Sequence, residues 1–133
     1  MAHLLVDAMN VIGSRPTGWW RDRDGAVRAL LAKLQRLAEA EHDTVSLFVD
    51  GRPLADLPEG AHGGVDLLYA SRRGPNAADD RIVEFVRAHG DPASLDVITS
   101  DRELSNRVRA LGARVRGVTS LLDRLDALDA PPA

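Results

Sequence analysis

Asp7 is the residue of this chain whose setting most clearly calls for chemistry. It ends the apolar run His3-Leu4-Leu5-Val6, heads no evident helix-capping box, and is followed three residues later by Asn10, a second oxygen donor. Other acids stand at similar breaks in the pattern. Asp50 ends Thr44-Val45-Ser46-Leu47-Phe48-Val49, and Asp79 and Asp80 open a helical stretch after Ser71-Arg72-Arg73-Gly74-Pro75-Asn76. Asp101 and Glu103 follow Leu95-Asp96-Val97-Ile98-Thr99 through Ser100. Carboxylates gathered in one place repel one another unless a cation sits among them. Oxygen donors with no Cys and no clustered His suit Mg²⁺ or Mn²⁺ rather than Zn²⁺. Such a site positions a phosphate and activates water, which is the chemistry of metal-assisted phosphodiester hydrolysis.

Most of these acids also have an ordinary structural role open to them. Ser100-Asp101-Arg102-Glu103 has the form of a capping box, with Ser100 as N-cap and Glu103 reaching back to its amide. Asn76-Ala77-Ala78-Asp79 has nearly the same form, so Asp79 can serve as a cap. Asp80 and Asp101 suit the first turn of a helix through its dipole, and Asp50-Gly51 is a common turn. Asp7 has no such role. Arg72, Arg73 and Arg102 share the same loops and are candidates to hold flanking phosphates, with ordinary solvated surface as the alternative. Trp19-Trp20, among Arg15, Arg21 and Arg23, has the composition of a platform for single-stranded bases. The competing role for these tryptophans is to cover the sheet or to enter a subunit contact.

The acids meet only if the elements that carry them are arranged suitably. Short apolar runs at His3–Asp7, Thr44–Asp50, Val65–Ala70, Leu95–Thr99 and Ala113–Arg116 read as strands. Between and after them, residues 24–41, 77–88, 101–111 and 119–128 carry apolar side chains at helical spacing. This alternation predicts an α/β fold with a mainly parallel sheet of about five strands, covered on both faces. In such sheets the site lies beyond the carboxyl ends of the strands, at a topological switch point. Four strand exits then deliver Asp7, Asp50, Asp79 or Asp80, Asp101 and Glu103 to one rim.

The bulk properties set limits on this reading. A length of 133 residues predicts one domain spanning 1–133. The absence of Cys excludes a disulfide scaffold, a thiolate metal site and a Cys nucleophile. No apolar run approaches the ~18 residues of a membrane span, so no membrane partner is expected and the expected address is cytoplasmic. The net charge of −3 argues against nucleic-acid binding by bulk charge. Sixteen of the seventeen basic residues are nonetheless Arg, whose fork suits phosphate. GC-rich coding DNA would produce the same bias, so composition leaves the partner open. Three other α/β folds fail on their motifs. A receiver domain needs an acidic pair at its first strand and a Lys ending the fifth, a haloacid-dehalogenase-type phosphatase needs DxD, and a dinucleotide-binding domain needs a glycine-rich first turn where Asp7-Ala8-Met9-Asn10 stands.

Three motifs resemble those of a known family. Leu5-Val6-Asp7-Ala8-Met9-Asn10-Val11-Ile12-Gly13 resembles the "VDGYNVI" opening of the NYN domains, a branch of the PIN-like nuclease superfamily, and specifically of the YacP-like group. Ala78-Asp79-Asp80-Arg81-Ile82-Val83-Glu84 resembles that group's "ADxxIE" helix start, and Val97-Ile98-Thr99-Ser100-Asp101-Arg102-Glu103-Leu104 its "VVTSDRE" segment. The resemblance spans nearly the whole chain, roughly residues 3 to 125. The resemblance implies a PIN-like, Rossmann-like three-layer α/β/α sandwich with the first and fourth predicted strands adjacent at its centre. It also implies an endoribonuclease dependent on Mg²⁺ or Mn²⁺, in a bacterial cytoplasm. The implied metal ligands are Asp7, Asp79 with Asp80 beside it, Asp101 and Glu103, where many NYN domains carry Asp in place of Glu103. Asp7, Asp79 and Asp101 would be the catalytic set, with Asn10, Thr99 and Ser100 orienting the ligands or water and Asp50 in support. Arg15, Arg72, Arg73, Arg102, Trp19 and Trp20 would meet single-stranded RNA, which a larger partner such as the ribosome could present. Ala8-Met9 in place of Gly-Tyr removes an aromatic that could have stacked on a base. The rival expectation is a PIN-like module that binds RNA or protein without cutting. Oligomeric state is left open.

Overall fold

The computed structural model describes residues 2–70 and 77–129. The described strands are β1 (His3–Asp7), β2 (Thr44–Asp50), β3 (Gly60–His62), β4 (Val65–Ala70), β5 (Leu95–Ile98) and β6 (Arg114–Arg116). The helices are α1 (Ala8–Gly13), α2 (Arg23–Glu41), α3 (Ala77–Ala88), α4 (Arg102–Ala110) and α5 (Val118–Asp129). The strands form one sheet in the order β3-β4-β2-β1-β5-β6, parallel except for β3. Residues 4–7 of β1 and 45–49 of β2 are buried without interruption, as expected of central strands covered on both faces.

Alternate side chains of those strands feed two cores. Leu4, Val6, Leu47 and Ile98 pack against Val11, Leu34, Leu37 and Leu121 from α1, α2 and α5. Leu5, Phe48, Leu95 and Val97 pack against Ile82, Val86, Leu104 and Val108 from α3 and α4. The molecule is therefore the three-layer sandwich that the strand–helix alternation predicts. The first and fourth predicted strands, here β1 and β5, are central neighbours, with Val6 opposite Ile98.

Two elements go beyond the sequence reading. Asp56–Gly64 reads as a loose Gly- and Pro-rich stretch, yet Gly60–His62 adds a sixth, antiparallel edge strand beside β4. Gly63 (φ 57) and Gly64 (φ 88) make the two-residue turn between them, a left-handed pair that favours glycine and matches the twist of a hairpin. The other is α1, whose six residues are too few for a helical period to register.

The connections fix where a site can form. From β1 the chain moves outward to β2 and β4, then crosses back to β5 on the other side of β1. The carboxyl ends of β1 and β5 are thus the switch point, where the diverging connections open a crevice.

Candidate active site

Three carboxylates reach this rim from strand ends, and they are held differently. Asp7 closes β1 and is only 5% exposed. It occupies the N-cap position of α1 with extended backbone angles, but its side chain makes no capping hydrogen bond. Asp50 closes β2, and its Oδ1 accepts from the Ala78 backbone N–H at 2.9 Å. One strand end thereby caps the helix that carries Asp79. Asp101 follows β5 as the N-cap of α4, with Oδ1 accepting from the Leu104 N–H at 2.9 Å. Asp79 lies half-buried in the first turn of α3.

These groups share one electrostatic field. The Asp7 carboxyl is pushed up to about 7, first by burial and then by the charge of Asp79, with smaller contributions from Asp50 and Asp101. The Asn10 backbone N–H, near the carboxyl but not capping the helix, opposes this only in part. Asp79 is pushed up to about 6, again by burial first, then by Asp101 and Asp50, with Arg107 pulling the other way. Asp7 and Asp79 thus lie in the field of Asp50 and Asp101, and burial together with that field disfavours their charged forms.

The donor set, carboxylates with amide and hydroxyl oxygens beside them, fits a hard divalent cation. Among the described residues, however, no three acidic or imidazole side chains stand within joint ligating reach. Mg²⁺ is commonly held by one or two carboxylates, with water and substrate phosphate completing its shell. The residues present fit that arrangement rather than a closed protein cage.

The neighbouring candidates fall into place around the acids. Asn10 Oδ1 accepts from the Ser100 N–H at 2.9 Å and so ties α1 to the turn after β5. Thr99 is buried, and its Oγ1 accepts from the Asp101 N–H at 3.1 Å. The capping box proves to be shifted by one residue. Asp101, not Ser100, caps α4, and Ser100 Oγ instead accepts from the Val118 N–H at 3.4 Å. Glu103 and Arg102 are exposed in the first turn of α4. Asp80 faces α4 and pairs with Arg107 at 3.0 Å.

The candidate RNA contacts are scattered by comparison. Arg15 pairs with Asp126 of α5 at 2.8 Å. Trp19 and Trp20 form a 3-10 turn ahead of α2, and Arg72 and Arg73 lie outside the described residues. Two contacts with the acid-bearing segments were not foreseen, although Arg23 stands out in the sequence beside the tryptophans. Arg107 tempers Asp79, and Arg23 donates to the Asp50 carbonyl. Neither contact carries a local sequence signal, because each acts across a gap of more than twenty residues.

Comparison with known proteins agrees with this architecture. The crystal structure of Rae1 (YacP) from Bacillus subtilis matches with a TM-score of 0.74 and 23% identity, over 97% of this chain and 76% of that one. A mutant of the same protein matches with a TM-score of 0.77 and 21% identity, over 96% and 76% respectively. At these identities the likeness speaks for the fold. No curated protein sequence matches the chain. The sequence profile of the YacP-like NYN domain matches residues 4–131, so the chain belongs to the YacP-like NYN domain family, a nuclease-type family.

Proposed function

We propose that this protein is a divalent-metal-dependent ribonuclease, an endoribonuclease that hydrolyses RNA phosphodiester bonds with Mg²⁺ or Mn²⁺ as cofactor. The observation that supports this reading is the burial of Asp7 in the field of Asp79, Asp50 and Asp101, at the switch point of a nuclease-type fold. Such a cluster is unfavourable by itself and is relieved by a bound cation. One or two of Asp7, Asp79 and Asp101 would hold the ion, with water and the substrate phosphate completing its shell. When bound, it supplies Lewis acidity towards the scissile phosphate and makes water more acidic.

The protein's own groups do the positioning. Asp50 secures the first turn of α3 and so keeps Asp79 at the rim. Asn10 and Thr99 brace the turn that carries Asp101. Arg102, together with Arg72 and Arg73, would engage phosphates on either side of the cut. Asp80, already paired with Arg107, and exposed Glu103 are the more distant candidates for the ion or its waters. No imidazole is available as a base, since His3, His42, His62 and His89 all lie towards the amino ends of the parallel strands. Proton transfer at the rim therefore falls to carboxylate and water.

The second reading is a non-catalytic module that binds RNA or protein. It draws on the capping duties of Asp50 and Asp101 and on the lack of a preformed three-carboxylate cage. Labelled single-stranded RNA with Mn²⁺, beside an Asp7→Asn variant and an EDTA control, separates the two. Cleavage lost in both controls upholds the nuclease. Intact RNA bound equally with EDTA or Mn²⁺ would uphold the binding module.

A further inference from the structure

Trp20 is 60% exposed, which sets it apart from the other large apolar side chains among the described residues. A lone exposed apolar side chain is ordinary on a protein surface, so the meaning of this one lies in its support and setting. It is held in place. Trp19 lies beneath it edge to face, with ring centroids 6.1 Å apart and planes at 84°. Trp19 in turn lies along the end of α1, where a methyl group on Gly13 would come within 4.0 Å of its ring. Gly18, at φ 76, starts the turn in a left-handed conformation, and Asp22 ends it by accepting from the Gly25 N–H at 2.9 Å. An exposed aromatic on a braced support is a surface prepared for stacking.

Its position points to what would stack there. α2 runs from the carboxyl rim of the sheet back to the start of β2, so the turn preceding it stands at the rim. Arg23 joins the turn to the acids directly. Its guanidinium donates to the Asp50 carbonyl and packs over Gly51, while the Asp50 carboxylate caps the helix bearing Asp79. Arg21 in the turn and Arg52 beside Gly51 are exposed. The surface thus combines an aromatic face with cationic groups and is continuous with the acid rim. That pairing suits a single strand, whose bases stack while its phosphates meet arginine. A duplex keeps its bases stacked internally and has no face to offer.

We propose that Trp20, braced by Trp19, stacks on an unpaired base of the RNA strand whose scissile phosphate lies at the acid rim, so that the substrate is single-stranded at that point. This rests on the ribonuclease reading for the identity of the strand, but its test does not need cleavage.

The chain has two tryptophans, Trp19 and Trp20, so tryptophan fluorescence, excited selectively over Tyr69, reports on this turn alone. The probe is a 12-residue oligouridine titrated in EDTA at low salt, with a duplex RNA of equal length beside it. Quenching by the single strand and not by the duplex is expected. Trp20→Ala should raise Kd about tenfold or more, read by anisotropy of labelled RNA, which is the weight of one stacked base. Trp20→Phe should recover much of the affinity and Trp20→Leu should not, because leucine keeps apolar area without a π face. An unchanged Kd in Trp20→Ala, equal rescue by Leu and Phe, or no binding of single strands would overturn the proposal. The first and the last of these outcomes are those expected if the turn covers a protein partner instead. Tryptophan-dependent binding without cleavage leaves the platform standing and removes the nuclease. Cleavage and binding both indifferent to Trp20→Ala do the reverse.

Discussion

Asp7 shows how a single buried carboxylate can be costly to the fold while standing at the centre of the proposed site. With its folded value raised to about 7, it stays protonated in the folded chain over a range where the unfolded chain, near 4, has lost that proton. The folded state then binds the extra proton, so the contribution of Asp7 to stability is most favourable below about pH 4, falls as pH rises towards 7, and levels off above. Asp7→Asn removes the group from this balance. In EDTA at pH 8 the variant should be more stable than the wild type by about 2–4 kcal/mol, the gap closing near pH 4. Urea denaturation at several pH values would check this, and equal stability at pH 8 would mean that the charge is compensated within the protein. Asp7 was legible from sequence because a charge ending an apolar run needs no tertiary information to be noticed. The choice between Asp79 and Asp80 was not, since it depends on how α3 is turned relative to Arg107 of α4.

At the scale of elements, the site is held by caps that run between segments. Asp50 ends a strand and caps a helix that starts twenty-seven residues later. An Asn at this position keeps an oxygen acceptor, whereas Ala does not. Asp50→Ala should therefore be less stable than Asp50→Asn by about 1 kcal/mol, the usual worth of an N-cap. Both should lower the Asp7 titration by removing one repelling charge. Thermal melts and the carboxyl chemical shift of Asp7 across pH separate these effects. The shifted cap on α4 follows the same logic. Ser100 has the right residue type, but its amide is taken by Asn10 and its hydroxyl by Val118, which leaves Asp101 to start the helix. The hairpin at β3 was within reach of the sequence, because Gly63-Gly64 before an alternating strand is a turn signal that the surrounding Gly and Pro obscured.

Across the whole molecule, the arginine bias has a structural use. Arg15, Arg36 and Arg124 pair with Asp126, Asp129 and Asp43, Arg28 pairs with Asp56, and Arg114 and Arg116 hold buried Asp96. Much of the basic surface thus ties elements to one another, which reconciles abundant Arg with a net charge of −3. Among the described residues, Arg21, Arg52 and Arg102 are exposed close to the acidic rim. Binding of single-stranded RNA without metal should therefore be weak and should lose roughly tenfold between 50 and 200 mM salt, as for about three phosphate contacts. A titration at four salt concentrations measures that slope. A steeper dependence would indicate a longer basic track than the described residues provide. No described helix is long and apolar enough to cross a membrane.

The sequence by itself determined the alternation of strands and helices, the strand exits that carry Asp7, Asp50 and Asp101, and the motifs that mark the family. These are local properties, written in hydrophobic period and in the residue that breaks it. Tertiary structure alone decided which carboxylates cap helices, which acid of the Asp79-Asp80 pair shares the field of Asp7, and that the Trp19-Trp20 turn stands at the rim. Each of those depends on the lateral order of strands and the rotation of helices across the sheet. Packing sets both, and it joins residues that the chain keeps far apart.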